Sequence, residues 1–339
     1  MIHFPRSRTA VTAGILSFGL AGASLAQPAP SGELLVVNKG DGTLSVVDTA
    51  MAHQVAVIAE NGRTGHEVAV SPDGKRAFVP IYSSAGVGQP GTDGSVIRVV
   101  DLATRSVVGT VNFGRGIRPH RPVFGPKDGL LYVTTEIENS VSIIDPVSLR
   151  IVGAIPTGHP QSHMLAISSD GRRGYTANVN SGTISVLDIP GRRLLASIPV
   201  ATIVQRISLS TDDRWAFTAD ETKLRLVVID TATNTVSRSI PLPGLAFGTT
   251  PTPDGRWLLV AMPALRMVGL VDLQLMKVVR TLEVPKAPQE IVVRPDGAVA
   301  YVSCDASAMV AVINLRTWAV ESLIGVGPVD DGLAWVPGS

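Results

Sequence analysis

RGYTANVNSGTISVLD, residues 173–188, reads as an apolar strand, a short polar loop around Ser181-Gly182, and a second apolar strand that stops at an aspartate. The same ending recurs along the chain. It appears as LSVVD at Asp48, IRVVD at Asp101, VSIID at Asp145, ISVLD at Asp188, LVVID at Asp230, VGLVD at Asp272 and VAVIN at Asn314. The gaps between these endings are 53, 44, 43, 42, 42 and 42 residues. A second marker keeps step: SPDG at Asp73, PKDG at Asp128, SSDG at Asp170, STDD at Asp212, TPDG at Asp254 and RPDG at Asp296. Each period therefore holds a strand, a tight turn, a second strand, a polar loop, a third strand ending in Asp, and a fourth strand.

Seven copies at this period, four short strands each, predict an all-β fold, a seven-bladed β-propeller. The Val/Ile/Leu runs alternate little, as expected of strands covered on both faces by neighbouring blades. An open β-solenoid is the alternative, but its repeats are shorter and it needs caps. Ring closure is visible in the phase of the repeat. LLVVNKGDGTLSVVD supplies strands two to four of a blade, and DGLAWVP near the C-terminus supplies a first strand with no second strand after it. The N- and C-terminal strands are expected to share one blade, which removes free sheet edges.

The stretches LYVTTEIENSVSIID (131–145) and RGYTANVNSGTISVLD resemble the YVTN family of β-propeller repeats. Tyr132-Val133-Thr134 carries the signature, with Thr135 where the motif has Asn. The resemblance spans residues 33–337. It implies the propeller fold, and it is shared by proteins of several functions: surface-layer modules, periplasmic proteins, relatives of sugar-lactone hydrolases, and the haem-binding propeller of periplasmic nitrite reductases. Fold by itself does not choose among them.

Composition narrows the class. The 339 residues are 45% hydrophobic, 17% charged and 4% aromatic, which suits one large folded domain. Residues 1–26 carry Arg6 and Arg8, then an apolar run ending Ser24-Leu25-Ala26. This reads as a signal peptide cleaved after Ala26, too short for a retained anchor, followed by a tail over 27–32 and the propeller over 33–337. The expected location is the periplasm, with no membrane span after cleavage. Cleavage leaves 27 basic and 28 acidic residues, so no nucleic-acid partner is expected. The lone Cys304, in YVSCDAS, reads as a buried strand residue. Trp215 and Trp257 share one register on second strands and read as packing between blades.

Candidate site residues come from the repeat register. Counting back from each inner turn gives one position per blade near the start of the innermost strand: His66, His120, His163, Gln205, Phe247 and Gln289, with Asp331 in the closing blade. His120 aligns only if FGPKDG holds one extra residue. This position is expected to ring one mouth of the central channel. Three of the five histidines after residue 26 occupy it on successive blades. Neutral imidazoles there can converge on a transition metal, giving His66, His120 and His163 as a candidate metal set. Equally, one can serve as an axial ligand to a haem-like cofactor. His159 is a candidate for a further contact, whereas strand alternation turns Met164 away.

On the same face lies the insertion responsible for the 53-residue gap, YSSAGVGQPGTDGS (82–95). It is either a loop over a ligand or a tolerated surface insertion. Nearby, Arg118 and Arg121, with Arg115, are candidates for holding a carboxylate or phosphate of a small ligand. Asp330 and Asp331 form an acidic pair at the ring. No C-x-x-C-H haem attachment, nucleophile elbow or phosphate-cradling loop is present. The catalytic residues are unknown. The first functional reading is a binding or accessory protein holding a small molecule, cofactor or periplasmic protein partner at the His-bearing mouth. The alternative is a metal- or haem-assisted oxidoreductase, or a lactone hydrolase, using the same face.

Overall fold

The computed structural model describes residues 32–62 and 64–338, together with Met1 and His3. The expected signal peptide and residues 27–31 of the expected tail lie outside the described residues, apart from those two positions. Residues 32–338 form seven antiparallel four-stranded sheets, the blades of a propeller. Blade 1 holds Gly32–Asn38, Thr43–Asp48 and His53–Ala59, and its innermost strand is the C-terminal Asp330–Pro337. That strand runs antiparallel to Gly32–Asn38, with Gly32 opposite Pro337 and Leu35 opposite Ala334. The ring therefore closes with its two ends in one blade. Blades 2 to 7 follow in chain order over 69–112, 119–156, 162–199, 208–241, 249–283 and 288–325. Among the described residues no helix is long and apolar enough to cross a membrane.

The repeated aspartates have a local reason. Asp48 Oδ1 accepts the backbone N–H groups of Ala50 and Met51, and Asp230 and Asp272 do the same for the residues that follow them. Each carboxylate satisfies the turn that leads from third to fourth strand, an Asx-type turn. Asn314 performs the same task through its amide oxygen, so it stands in for Asp without loss. The inner turns are built alike. Asp73 Oδ1 accepts from Ser71 Oγ and from the Lys75 N–H, and Gly74 takes the left-handed conformation at φ 70°.

The core lies between blades. Tyr175, Ile184 and Val186 of blade 4, for example, pack with Ala216, Val227 and Ile229 of blade 5. Second and third strands are covered on both faces, which is why they read as unbroken apolar runs. Outer strands such as Arg193–Pro199 alternate instead, because one face meets solvent. Cys304 is fully buried in one of these inter-blade clusters, and burial pushes its thiol up to about 12, so it stays an unreactive core residue.

Candidate functional site

The register of the inner strands decides what faces the channel. In blades 3, 4 and 7 the pairing of inner and second strand shifts register between Pro119 and Pro122, Ser162 and Leu165, and Pro288 and Ile291. Blade 1 shifts at the equivalent place, between Asp330 and Leu333. Such a bulge sets two residues against one and re-aims side chains. In blades 3 and 7 the residues after the ring position, Arg121 and Glu290, meet across the channel. Met164 stays away from the mouth, as strand alternation predicts: it is buried among Tyr175, Ala177 and Ile207 between blades 4 and 5 and reaches only a separate cavity of about 270 Å³ beside Arg121, Arg206 and Glu290.

All seven ring positions line one cavity of about 460 Å³ at one mouth of the channel. His66, His120 and His163 come together, with ring centroids 5.4 Å apart for His66 and His120 and 3.7 Å for His120 and His163. Gln205, Phe247, Gln289 and Asp331 continue the circle. His120 and His163 are buried, and the Nδ1 atom of each has no hydrogen-bond partner. Burial holds both imidazoles well below their usual pKa, helped at His120 by His163 and His66 and at His163 by Arg206 and His66. His66 is pushed down to about 4, mainly by burial and further by Lys39 and Arg206, against the pull of Asp331 Oδ2 at 3.8 Å from its Nδ1. All three are neutral at pH 7.

The rings meet as neighbours in van der Waals contact. Among the described residues no three His, Cys, Asp or Glu side chains are grouped to hold a metal ion, so the expected His66/His120/His163 metal set lacks a donor geometry. His120 and His163 lie tilted at 35° with centroids 3.7 Å apart, a packing contact between rings.

Beneath the histidines lies a layer that the ring register did not announce. The residue after each ring position is Glu67, Arg121, Arg206 and Glu290 in blades 2, 3, 5 and 7, and these form a belt of ion pairs across the channel. Arg121 Nη1 bonds Glu67 Oε2 and lies 3.3 Å from Glu290 Oε1. Arg206 Nη1 bonds Glu290 and Nη2 lies 3.1 Å from Asp331 Oδ1. Lys39 Nζ adds a contact to Asp331 at 3.1 Å and to Asp305 at 3.4 Å. Burial alone would raise the Asp331 pKa, but Lys39 and Arg206 outweigh it and keep the group ionised. Glu67 is fully buried and pushed upward, with Arg121 opposing. Blades 6 and 1 contribute glycines to this layer. A Cβ on Gly332 would sit 2.5 Å from the His66 carbonyl oxygen, which accepts the Gly332 N–H, so only glycine lets blade 1 close on blade 2.

Two expected ligand-facing arginines have other work. Arg121 belongs to the belt and its charge is matched by Glu67 and Glu290. Arg118 is buried beneath the 82–95 insertion: Nε bonds Asp93 Oδ1 at 2.6 Å, Nη2 the Gln89 carbonyl at 2.7 Å, and Nη1 lies 3.4 Å from Glu136 Oε1. Arg115 forms an exposed pair with Glu138. The insertion itself folds over the cavity, which Gly86, Val87, Gly88 and Gln89 help to line. Glu136 holds its other end, accepting the Gly88 N–H at 2.9 Å and the Tyr82 hydroxyl. Tyr82 is fully buried, 4.7 Å from the His66 ring and 4.9 Å from His120. His159 pairs instead with Ser197 Oγ on the outer part of the blade. Asp330 accepts the Cys304 N–H and is pushed up to about 7 by burial, away from the cavity lining. Glu221, not foreseen, lines the cavity; burial raises it to about 7 while Gln205 donates to its Oε2.

No protein-family model matches the chain. Among curated proteins, the 6-phosphogluconolactonase of Bacillus subtilis (strain 168) is 26% identical over 153 residues, 42% of this chain. The match spans 44% of that relative's length. Among solved structures, Kuenenia stuttgartiensis hydrazine synthase superposes with a TM-score of 0.73 over 88% of this chain and 99% of that chain, at 17% identity. The dihydro-heme d1 dehydrogenase NirN, in complex with DHE, superposes with a TM-score of 0.67 over 93% and 77%, at 15% identity. At these identities the two structures establish a shared propeller fold.

Proposed function

We propose that the chain is an exported, periplasmic binding protein of the YVTN-repeat type that holds one small molecule at the His-bearing mouth of its channel. One observation carries the reading. All seven ring positions and the 86–89 stretch line a single cavity of about 460 Å³, a size typical of small-molecule sites. The ion-pair belt closes the floor, so the mouth works as a blind pocket. The loop forms part of its roof.

A second reading is a haem-like ligand, favoured by the superposition on NirN with its bound DHE. His66 is the residue that would hold such a group. Its Nδ1 lies on the Asp331 side, 3.8 Å from Oδ2, which leaves Nε2 for a ligand. A haem bound there would supply redox chemistry; the chain would supply the imidazole, its orientation by Asp331, and exclusion of water by the loop. The buried Nδ1 atoms of His120 and His163 do not fit such a role.

Native mass spectrometry and an absorption spectrum of protein taken from the periplasm of its own host test both readings. The expected result is a stoichiometric small molecule lost from the His120→Ala/His163→Ala variant. A visible band lost on His66→Ala places the haem reading first. A ligand-free, colourless protein, unaffected in its stability by all three substitutions, refutes the binding role.

A further inference from the structure

Resting on the small-molecule reading, we infer that the pocket takes an uncharged, polyhydroxylated ligand, a neutral sugar or polyol, and rejects its phosphorylated and carboxylated counterparts. The inference comes from the charges around the cavity. The cations that reach it, Lys39 and Arg206, are already paired. Lys39 serves Asp331 and Asp305, and Arg206 serves Glu290, Glu67 and Asp331. Among the described residues that line the mouth, a phosphate or carboxylate would meet no free cation. It would have to pull Arg206 or Lys39 from a carboxylate and leave that carboxylate buried without its counter-ion, a strongly unfavourable exchange. Arg206 is further fixed by its stacking 4.5 Å over the Phe247 ring. An ammonium group faces the two cations themselves.

What the cavity offers instead is neutral hydrogen bonding. Three imidazoles and the amides of Gln161, Gln205 and Gln289 line it. Glu221 Oε1, Arg206 Nε and the Nδ1 atoms of His120 and His163 are sealed from solvent without a protein partner, so the groups left to a ligand are the outward imidazole edges and the amides. A hydroxyl donates and accepts, so it satisfies an imidazole in either tautomer and an amide in either orientation. Several hydroxyls on one compact frame match this mixed lining, whereas an anion only accepts and an ammonium only donates.

Isothermal titration of the full mature chain tests this with matched probes: a panel of neutral monosaccharides, disaccharides and alditols, beside gluconate, glucose 6-phosphate and glucosamine. The expected result is saturable binding of at least one neutral probe, tenfold or more tighter than its charged counterpart. Binding should weaken at least tenfold in His120→Ala/His163→Ala. Tighter binding of a charged partner overturns the ligand class and leaves the pocket reading standing. No binding across the panel also overturns the ligand class, and native mass spectrometry of the host protein then decides the pocket reading separately.

Discussion

At the scale of single residues, the site is governed by burial acting on titratable groups. His66 sits at about 4 when folded and near 6.5 when unfolded, so between those values the unfolded chain binds the proton that the folded chain refuses. Its contribution to stability is therefore intact above pH 6.5 and is lost as pH falls toward 4. His120 and His163 act in the same direction, since both are held well below their usual value. Glu221 and Glu60 act oppositely: raised to about 7 by burial, they cost stability as pH rises from the ordinary carboxylate range through 7. The net profile mixes both signs, so the test compares variants. Chemical denaturation at pH 7 and pH 5 should show wild type losing about 1–2 kcal/mol more than His66→Gln across that interval, the size expected from a shift of this order. Equal losses in the two proteins would mean that His66 titrates normally when folded.

At the scale of elements, the 82–95 insertion is a strap fastened at both ends by one buried cluster. Arg118 reaches Asp93, the Gln89 carbonyl and Glu136, and Glu136 in turn takes the Gly88 N–H. Gly88 is favoured by its φ of 67°, where a Cβ is strained; the Gln161 amide beside it can swing aside. Removing the Arg118 guanidinium strands buried carboxylate, which costs about 3–5 kcal/mol in comparable buried pairs. Arg118→Met should therefore speed subtilisin cleavage within 84–92 at least tenfold while the blades stay resistant; an unchanged digestion pattern would show that the strap is held by something else. This element also marks where sequence reading runs out. Turn-forming aspartates recur at a fixed period and each does its work within a few residues, so blades, ring register and closing strand are all legible in the chain. Which carboxylate meets Arg118 depends on loops from two blades, and no local pattern encodes it. The ion-pair belt lay in plain view as Glu67, Arg121, Arg206 and Glu290, each one residue past the ring position. Period-two alternation hid it: Arg121 and Glu290 sit at bulges, and Glu67 and Arg206 precede the paired part of their strands, so alternation does not hold at any of the four.

At the scale of the molecule, everything at the channel mouth presupposes a closed ring, and one strand closes it. Asp330–Pro337 completes blade 1 and also delivers Asp331 to Lys39, Arg206 and His66. Its Leu333 and Val336 are buried, and Trp335 stacks on Tyr301 of blade 7 at 6.0 Å. Burying three such side chains is worth about 5–8 kcal/mol, comparable with the whole stability of a typical domain at about 5–15 kcal/mol. Loss of the strand also bares the ladder of Gly32–Asn38, an edge ready to pair with another chain. A chain ending at Pro328 should thus lose cooperative unfolding and aggregate, as followed by calorimetry and light scattering. Because such a loss alone does not separate ring closure from simple truncation, the decisive partner is a permuted chain. Gly32 lies opposite Pro337 in the sheet, so a short turn can join residues 330–337 ahead of Gly32 and let the chain end at Pro328. If the strand matters for where it pairs, the permutant recovers a single cooperative transition and the same pocket. If it stays aggregated, closure depends on the order in which the blades form, and the ring is held by its folding sequence more than by its final contacts.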